Sequence, residues 1–327
     1  MTIVRWTDMA KVNYPLSVLA ENYLAHLEGN GRSAHTISGF GRVLKSFQEF
    51  VKASGEPGTK ESICPEVVAA YRVHLVGKKY ALSSIRFFVQ VLKAWSAYLT
   101  EEGVFRTDPL ARRGLLPKIP KPLPKFLTDE ERERIVEFFS KPDPTSARNL
   151  AIFCLLLDTG LRVSELASIK LSDVDWRRNE IRVWGKGSKE RRVGFGRRTA
   201  RHIRTYVDFH RKRVEDDGVS EDRLFLSHGG HCRDGHESIG EPLSAHGVKL
   251  VFRRIEVKLG IEVHPHKLRH TFSTDFLNAG GSVADLQRIL GHESPQMSLY
   301  YAHITNQDAV ERQKTNSVVD RQFKRAR

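Results

Sequence analysis

A short segment rich in proline divides the chain into two parts. Residues 104–125 hold five of the thirteen prolines of the 327-residue sequence, together with six Lys or Arg residues and one acidic residue. Proline has no backbone N–H and fixes φ, so this density excludes a continuous helix or a central strand through the segment. The sequence therefore predicts a semi-rigid basic linker between two domains. It can be a solvated tether or lie along a phosphate backbone, and both interpretations stay open.

The residues before the linker show helical periodicity only. Apolar side chains recur at three- and four-residue spacing in four stretches, without the alternation that indicates a strand. The predicted helices span residues 15–28, 33–53, 65–76 and 83–100. They form an all-helical N-terminal domain at residues 12–103.

The residues after the linker show a mixed pattern. Thr128 and Glu131 have capping-box spacing and open a helix that extends to about residue 140. Two β-rich runs flank a Gly-Lys-Gly-Ser turn and predict a hairpin. The predicted strands span residues 180–184 and 190–195, and the further predicted helices span residues 147–158, 199–215, 244–259, 266–279, 282–290 and 295–303. The predicted fold class is thus mainly α with a small antiparallel β-sheet: a helical domain, an α+β domain at residues 126–311, and a tail at 312–327 that is a short helix or a disordered arm.

The charge balance predicts a polyanionic partner. The sequence has 53 Lys or Arg residues against 39 acidic ones, a net charge of +14. A basic protein gains binding free energy from nucleic acid by releasing counterions from its phosphates. A basic soluble protein without such a partner, or one that binds anionic lipid, is the alternative. Charge alone does not separate a DNA-binding protein from an enzyme.

Composition also predicts where the protein works. Charged residues make up 28% and hydrophobic ones 40% of the chain, which fits neither a disordered polyelectrolyte nor a membrane protein. The longest strongly apolar run, residues 151–157, is far shorter than a membrane span, and the first ten residues lack the apolar core of a secretory signal. The three cysteines, Cys64, Cys154 and Cys232, are too few for a disulfide framework. We expect a soluble cytoplasmic protein with no membrane partner.

Five short segments of the second domain carry residues that suit phosphate chemistry. They are Arg162 after a buried helix, Lys186 at the hairpin tip, His266 and Arg269 one helical turn apart, His292 after Gly291, and the pair Tyr300 and Tyr301. Each segment alone has an ordinary structural explanation, such as an ion pair of Arg162 with Glu165 or a solvated turn lysine. Their order along the chain is what makes the set specific.

In this order the segments resemble the tyrosine recombinases of the phage-integrase family. The resemblance lies in TGLRVSEL at 159–166, GKGSKERRV at 185–193, LFLS at 224–227, HPHKLRHTFSTDFLNAG at 264–280 and LGHESPQMSLYYAHI at 290–304. The first domain is similar to the family's helical SAM-like core-binding domain through HTISGFGRVLKSFQEF and SSIRFFVQVLKAWSAYL. The resemblance covers about residues 16–303.

The resemblance implies a role for each matching residue. Tyr301 is the nucleophile that forms a 3′-phosphotyrosyl intermediate, and Arg162 and Arg269 bind the scissile phosphate. Lys186 is the general acid, and His266 and His292 complete the pocket. Tyr300 neighbours the nucleophile, but the spacing of nine residues from His292 selects Tyr301. The resemblance also implies that no cofactor is needed.

The family resemblance further implies that the substrate is double-stranded DNA. It also implies that a homotetramer acts on two synapsed sites, with a partner recombinase or accessory factors where the family uses them. The C-terminal segment from His303 is then a candidate arm that docks on a neighbouring subunit. Further contacts with phosphate are predicted at Ser84, Arg86, Lys189 and Arg191. The protein is expected to be nucleoid-associated.

The chemistry explains why these residue types belong together. A tyrosine hydroxyl titrates near pH 10, so about one in a thousand is ionised at neutral pH. Clustered cations favour the phenolate, and a histidine can accept its proton. Attack on phosphorus places negative charge on the non-bridging oxygens, where each arginine or histidine donor contributes on the order of 3 kcal/mol.

Several functions remain open on the sequence alone. An integrase or recombinase of a mobile element is favoured by the segment at 295–298, and an Xer-like resolvase of chromosome or plasmid dimers is the alternative. The same chemistry serves relaxation by type IB topoisomerases. A catalytically idle DNA-binding protein is a candidate from another class. The last candidate is a zinc-dependent regulator, because His228, His231, Cys232 and His236 lie close together in the sequence. Their spacing matches no standard zinc site, however, and favours a polar loop.

Overall fold

A computed structural model of the chain describes residues 14–111, 114–119, 125–185, 190–211, 221–229 and 239–292, together with residues 299, 301, 314 and 319. The chain forms two compact units, residues 1–121 and 122–327. Their boundary falls inside the predicted linker at 104–125. Among the described residues, no helix is long and apolar enough to cross a membrane.

The first unit is helical, as its periodicity predicts. Its helices are α1 (Leu16–Gly29), α2 (Ala34–Ala53), α3 (Pro65–Gly77) and α4 (Leu82–Glu101). Ser33 caps α2, where its hydroxyl accepts a hydrogen bond from the Thr36 N–H at 3.3 Å. Trp95 is fully buried in the core, and its indole N–H donates to the Leu19 carbonyl at 3.2 Å.

The first unit extends beyond the predicted start of the linker. Val104, Leu110 and Leu115 are buried in the same apolar core as Trp95. Lys93 also donates to the Leu110 carbonyl. The described residues 104–111 and 114–119 contain no helix or strand, but their leucines pack against the helices.

The second unit surrounds a buried central helix. Its helices are α5 (Asp129–Phe139), α6 (Pro144–Thr159), α7 (Val163–Ser168), α8 (Arg197–Thr205), α9 (Ala245–Leu259), α10 (Pro265–Asn278) and α11 (Val283–Leu290). Helix α6 packs against α5, α8 and α10, and Ile152, Phe153, Leu155 and Leu156 are fully buried there. The capping box predicted at Thr128 and Glu131 is present at the start of α5.

Two predicted helices differ from the observed ones by more than one residue at an end. Helix α6 begins three residues before the predicted 147, because Asp143 caps it and Pro144 occupies its first position. The helix predicted at 199–215 is α8 followed by a π-helical turn, Tyr206–Arg211. Of the helix predicted at 295–303, only Leu299 and Tyr301 are described, and both are helical.

A small antiparallel sheet carries the predicted hairpin. Its strands β1 (Val174–Asp175), β2 (Glu180–Trp184) and β3 (Glu190–Gly194) pair in the order β1-β2-β3. Ile181 lies opposite Val193, and Val183 lies opposite Arg191. Because opposed residues share a face, Arg191 projects to the side on which Val183 and Val193 are buried. The predicted fold class is thus confirmed.

Gly160 joins the central helix α6 to the segment that carries Arg162, and its position does not tolerate a larger residue. It ends α6 with φ +62, and an added Cβ would lie 2.5 Å from Phe272 Cδ1 and 2.7 Å from Leu290 Cδ2. We expect Gly160→Ala to lower the free energy of unfolding by about 2–4 kcal/mol, through left-handed strain and overpacking together. Urea denaturation measures this change.

Gly260 supplies the matched control for this substitution. It ends α9 with φ +68, and nothing lies within 4 Å of its hypothetical Cβ. Gly260→Ala is therefore expected to cost only the backbone strain, about 1–2 kcal/mol. Equal losses for the two variants would show that the close approach of Phe272 and Leu290 has no energetic weight.

Candidate active site

Three arginines meet at the C-terminal turn of α11. The Arg269 Nη2 donates to the Leu290 carbonyl at 2.8 Å, and the Arg191 Nε donates to the Ile289 carbonyl at 2.7 Å. The Arg162 guanidinium makes longer bonds to the carbonyls of Leu290 and Gly291, at 3.4 and 3.3 Å. The last carbonyls of a helix lack intrahelical partners and carry the negative end of its dipole, so they attract cations. Backbone oxygens thereby set the positions of all three side chains.

Glu165 supplies the countercharge for two of these arginines. Its carboxylate accepts two hydrogen bonds from Arg191, at 3.0 and 2.8 Å, and one from Arg162 Nη1 at 2.9 Å. The Glu165 side chain is 5% exposed and also accepts the Arg162 backbone N–H at the start of α7. The ion pair of Arg162 with Glu165, expected as the ordinary explanation of Arg162, is therefore present within the cluster.

The pKa of Glu165 is held down by these contacts. Burial by itself raises the pKa of the carboxyl group, but the hydrogen bonds from Arg191 and Arg162 outweigh it and hold the pKa below the ordinary 4.5. A carboxyl group with a depressed folded-state pKa stabilises the fold above its unfolded pKa, and this contribution is lost as the pH falls through the folded-state value. The cluster is therefore an acid-sensitive part of the second unit.

We expect Glu165→Gln to lower the free energy of unfolding by about 3–5 kcal/mol at pH 7, because it breaks a buried ion pair. The difference from the wild type should shrink as the pH falls below 4.5 and through the lower folded-state pKa, because protonation then removes the same charge from the folded wild type. Urea denaturation at neutral and acid pH measures both values. A deficit that does not change with pH would contradict this electrostatic account.

Glu262→Gln is the control for this prediction. Glu262 pairs with Lys125 at 2.9 Å, but the two side chains are 51% and 76% exposed. Solvent screens such a pair, so its removal is expected to change stability little.

Arg269 is buried, whereas Arg162 is open to solvent. Arg269 is 4% exposed, and its Nη1 also donates to the Gly160 carbonyl at 2.7 Å. Burial and the nearby Arg162 lower the pKa of Arg269 to about 10, so it keeps its charge at neutral pH. The Arg162 side chain is 40% exposed and lines a cavity of about 930 Å³. Glu165, Arg191 and His292 line the same cavity.

The two predicted histidines lie near Arg269. His266 lies on the exposed surface at the first turn of α10, three residues before Arg269. His292 is 6% exposed and follows the glycine that ends α11. Desolvation and the neighbouring arginines lower the pKa of both rings, that of His292 to about 4. Both imidazoles are therefore neutral at pH 7, and each has one ring N–H to donate.

Tyr301 is packed on the same two helices. It is 5% exposed and contacts an apolar cluster that contains Leu277, Leu286 and Leu290. Its hydroxyl lies 2.7 Å from Nδ1 of His270, and the two ring centroids are 5.5 Å apart. Tyr301 is also close enough to Arg269 to act on the pKa of this arginine, which it raises against the larger effects of burial and Arg162.

His270 is a site residue that none of the sequence motifs indicates. It lies one residue after Arg269 and four after His266, and the two imidazole centroids are 5.2 Å apart. This helical spacing was the available signal, but it is shared with many surface histidines. The contact with Tyr301 joins residues 31 positions apart and has no signature in the local sequence.

The remaining predicted contacts are only partly described. Lys186, Lys189 and Tyr300 lie outside the described residues. Arg191 is in the cluster with Glu165 rather than on the outer surface, as its register opposite Val183 requires. In the first unit, Arg86 donates to the Pro117 carbonyl at 2.9 Å, and Ser84 lies half-buried on α4. Contacts of these residues with phosphate stay predictions.

The histidine-rich loop is described only at its start. His228 packs edge-on against Tyr206, and burial together with Arg148 lowers its pKa to about 4. His231, Cys232 and His236 lie outside the described residues. Among the residues that the structure describes, no group of three or more potential ligands is placed to hold a metal ion.

Comparison with known families matches both units. Residues 125–308 match the phage integrase family, and residues 20–103 match the phage integrase N-terminal SAM-like domain. The first match covers more than half of the chain, so the chain belongs to the phage integrase family and is a tyrosine recombinase, a site-specific DNA strand-transferring enzyme. The predicted family is therefore confirmed.

Xer recombinases are among the similar proteins. The chain is 30% identical to tyrosine recombinase XerC of Oceanobacillus iheyensis over 294 residues, which cover 89% of this chain and 92% of that protein. It is 32% identical to tyrosine recombinase XerD of Halalkalibacterium halodurans over 277 residues, which cover 84% and 89%. The chain is thus a tyrosine recombinase of the Xer type.

Two solved structures have the same fold. One is the Tn1549 transposon integrase in complex with a circular intermediate DNA, with a TM-score of 0.69 and 20% identity over 92% of this chain and 99% of that chain. The other is the XerH site-specific recombinase bound to difH substrate, with a TM-score of 0.66 and 20% identity over 93% and 84%. These likenesses concern the fold.

Proposed function

We propose that the chain cuts and rejoins duplex DNA through a 3′-phosphotyrosyl intermediate on Tyr301. The observation that carries the proposal is the convergence of two guanidinium groups and a tyrosine on one pair of helices. Arg162 and Arg269 both donate to the Leu290 carbonyl at the end of α11. Helix α10, which carries Arg269, also holds the Tyr301 hydroxyl through His270. Phosphate donors and nucleophile are thus positioned by the same elements.

The cationic cluster suits the transition state of phosphoryl transfer. Attack by the tyrosine oxygen places negative charge on the non-bridging oxygens, and preorganised donors there lower the barrier. Arg162 faces the 930 Å³ cavity with a partly exposed guanidinium. The two carbonyl contacts of Arg269 use two of its five N–H groups. The neutral rings of His266 and His292 add N–H donors without adding charge.

The proposed step is balanced by two proton transfers. The bond from the Tyr301 oxygen to phosphorus forms and the bond from phosphorus to the 5′-oxygen breaks, while the phenol proton passes to a base in the site. Lys186 donates a proton to the departing 5′-oxygen. Lys186 lies two residues after Trp184, the last residue of β2, which pairs with Glu190 of β3. Attack by a 5′-hydroxyl then reverses the step, and the scheme uses no cofactor.

We also propose that the enzyme acts as a homotetramer on two synapsed DNA sites on the nucleoid in the cytoplasm. Two solved proteins with this fold are bound to DNA in their structures, which supports DNA as the partner. The net charge of +14 supports the same partner.

Two biological roles follow from this activity. Recombination or integration of a mobile element is the first, and the segment at 295–298 together with the fold shared with a transposon integrase supports it. Resolution of chromosome or plasmid dimers is the second. Identity of 30–32% with XerC and XerD over most of the chain favours this second role. Recombination assays with a dif-like site and with the ends of a neighbouring element separate the two.

Covalent trapping tests the proposed chemistry. Nicked duplexes from the protein's own genomic neighbourhood lose the short 5′-hydroxyl strand after cleavage, so the intermediate accumulates. The expected result is a protein–DNA band that survives a denaturing gel and forms in EDTA. Mass spectrometry should locate the nucleotide adduct on the peptide that contains Tyr301. Tight binding without any covalent band would instead support a catalytically idle DNA-binding protein.

A further inference from the structure

The side chains of His270 and Tyr301 make a direct polar contact. It joins His270 Nδ1 to the Tyr301 hydroxyl at 2.7 Å, a short hydrogen-bond distance. His270 is half-buried on α10, and its ring lies near those of His266 and Tyr301, with centroids 5.2 and 5.5 Å away. The imidazole is therefore held by two ring contacts and a hydrogen bond as well as by its own helix.

This contact orients the hydroxyl, because the apolar side chains packed around the ring offer it no hydrogen bond. The phenol ring lies against Leu277, Leu286 and Leu290, which restrict the position of the ring but do not orient an O–H group. A hydrogen bond orients the group that donates it, and preorganised geometry determines how often a bound reactant is in a reactive arrangement. A residue that orients the hydroxyl therefore affects the rate of cleavage even if it never touches phosphate.

We propose that His270 is a positioning residue for the nucleophile, and that its Nδ1 accepts the hydrogen bond of the Tyr301 hydroxyl and directs the phenol oxygen toward the arginine cluster. This inference rests on the proposed role of Tyr301. It assigns His270 a function separate from those of His266 and Arg269 on the same helix.

The protonation state of the imidazole agrees with the accepting role. Burial, His266, His264 and Arg269 lower the pKa of His270 to about 4. The ring is therefore neutral at working pH, with one nitrogen available as an acceptor. A base this weak does not take the proton of a phenol that ordinarily titrates near pH 10. His270 thus orients the hydroxyl, and another group removes its proton.

Two substitutions separate positioning from packing. His270→Phe keeps an aromatic ring in the space and removes the acceptor. His270→Asn places an amide oxygen near the position of Nδ1, so it restores an acceptor with a smaller side chain. His74 in the first unit offers the control, because it also packs on a tyrosine, with ring centroids 6.4 Å from Tyr71. His74→Phe and His74→Asn are expected to cleave like the wild type.

The measurement is the rate of covalent complex formation at saturating nicked DNA, with DNA affinity measured separately. We expect His270→Phe to cleave about 10- to 100-fold more slowly than the wild type at unchanged affinity, because a misdirected nucleophile reacts less often. His270→Asn should recover much of this loss. Thermal unfolding of each variant establishes the fraction that is folded at the assay temperature.

Two other outcomes overturn the proposal. Unchanged cleavage by folded His270→Phe would mean that the contact only satisfies a buried hydroxyl. Faster cleavage would mean that His270 holds the tyrosine back from the phosphate. If the wild type forms no covalent complex, the proposed function fails, and ¹⁵N-histidine NMR still tests the contact. The proposal is supported if Nδ1 of His270 is unprotonated and if its ¹⁵N chemical shift changes in Tyr301→Phe. A protonated Nδ1 would contradict it.

Discussion

Replacement of Tyr301 by Phe is expected to abolish the covalent protein–DNA complex while leaving DNA binding unchanged. The substitution removes only the hydroxyl, so the rate should fall by on the order of 10⁶-fold, the scale for loss of a covalent nucleophile. The ring still fills its place beside Leu286 and Leu290, so the fold should lose only about 1 kcal/mol from the hydrogen bond to His270. Denaturing gels and mobility-shift titrations measure the two effects.

Tyr300→Phe is the matched control for this prediction. It makes the same chemical change one residue earlier, where the spacing from His292 is eight rather than nine residues. The control protein should form the covalent complex at the wild-type rate. If only Tyr300→Phe removed the band, the assignment of the nucleophile would be wrong by one residue, and the His270 contact would have no catalytic meaning.

Replacement of Arg269 by Ala is expected to affect both cleavage and stability. Loss of one preorganised phosphate donor typically lowers the rate by about 10²–10³-fold. The Gly160 and Leu290 carbonyls would also lose their contacts at 2.7 and 2.8 Å. Because Arg269 is 4% exposed, its removal would leave buried carbonyls without these hydrogen bonds and would leave a cavity. Together these effects should lower the free energy of unfolding by about 2–5 kcal/mol. Cleavage rates are therefore compared at a temperature where the variant is folded.

Arg269→Lys and Arg134→Ala separate the two effects. Lysine keeps the charge but cannot span two carbonyls, so Arg269→Lys should recover part of the stability and little of the rate. Arg134 is an exposed arginine that also donates to a carbonyl at a helix end, that of Leu259, at 3.1 Å. Arg134→Ala should leave cleavage unchanged. An Arg269→Lys enzyme with the wild-type rate would show that charge alone is sufficient at this position.

Most of the fold could be predicted from local patterns. Apolar periodicity located α1 to α4, and the turn at 185–188 located the hairpin, because these features depend on residues close in the sequence. The packing of Leu110 and Leu115 into the first unit could not be read in the same way. The prolines of a segment show which backbone hydrogen bonds it cannot make. Whether the leucines of that segment are buried depends on helices that are distant in the sequence.

The sequence predicted which residues belong to the candidate site but not the hydrogen bonds that hold them in place. Sequence motifs selected Arg162, Arg269 and His292, since their order along the chain is specific. The hydrogen bonds that hold the arginines go to backbone carbonyls, which every residue has, so no motif marks them. The internal position of Arg191 follows from its strand register, and the role of His270 follows from a contact with a distant residue.

The use of backbone carbonyls makes the site depend on the length of α11 more than on its side chains. Ile289 and Leu290 offer the same oxygens to Arg191 and Arg269 whatever side chains stand at these positions. Removal of one residue within the helix would rotate these oxygens by about 100° and shift them by about 1.5 Å along the axis. Replacement by residues of similar size is thus compatible with an intact guanidinium cluster, provided that position 290 still fills the apolar cluster around Tyr301 and that no residue is inserted or deleted between Ser282 and Gly291.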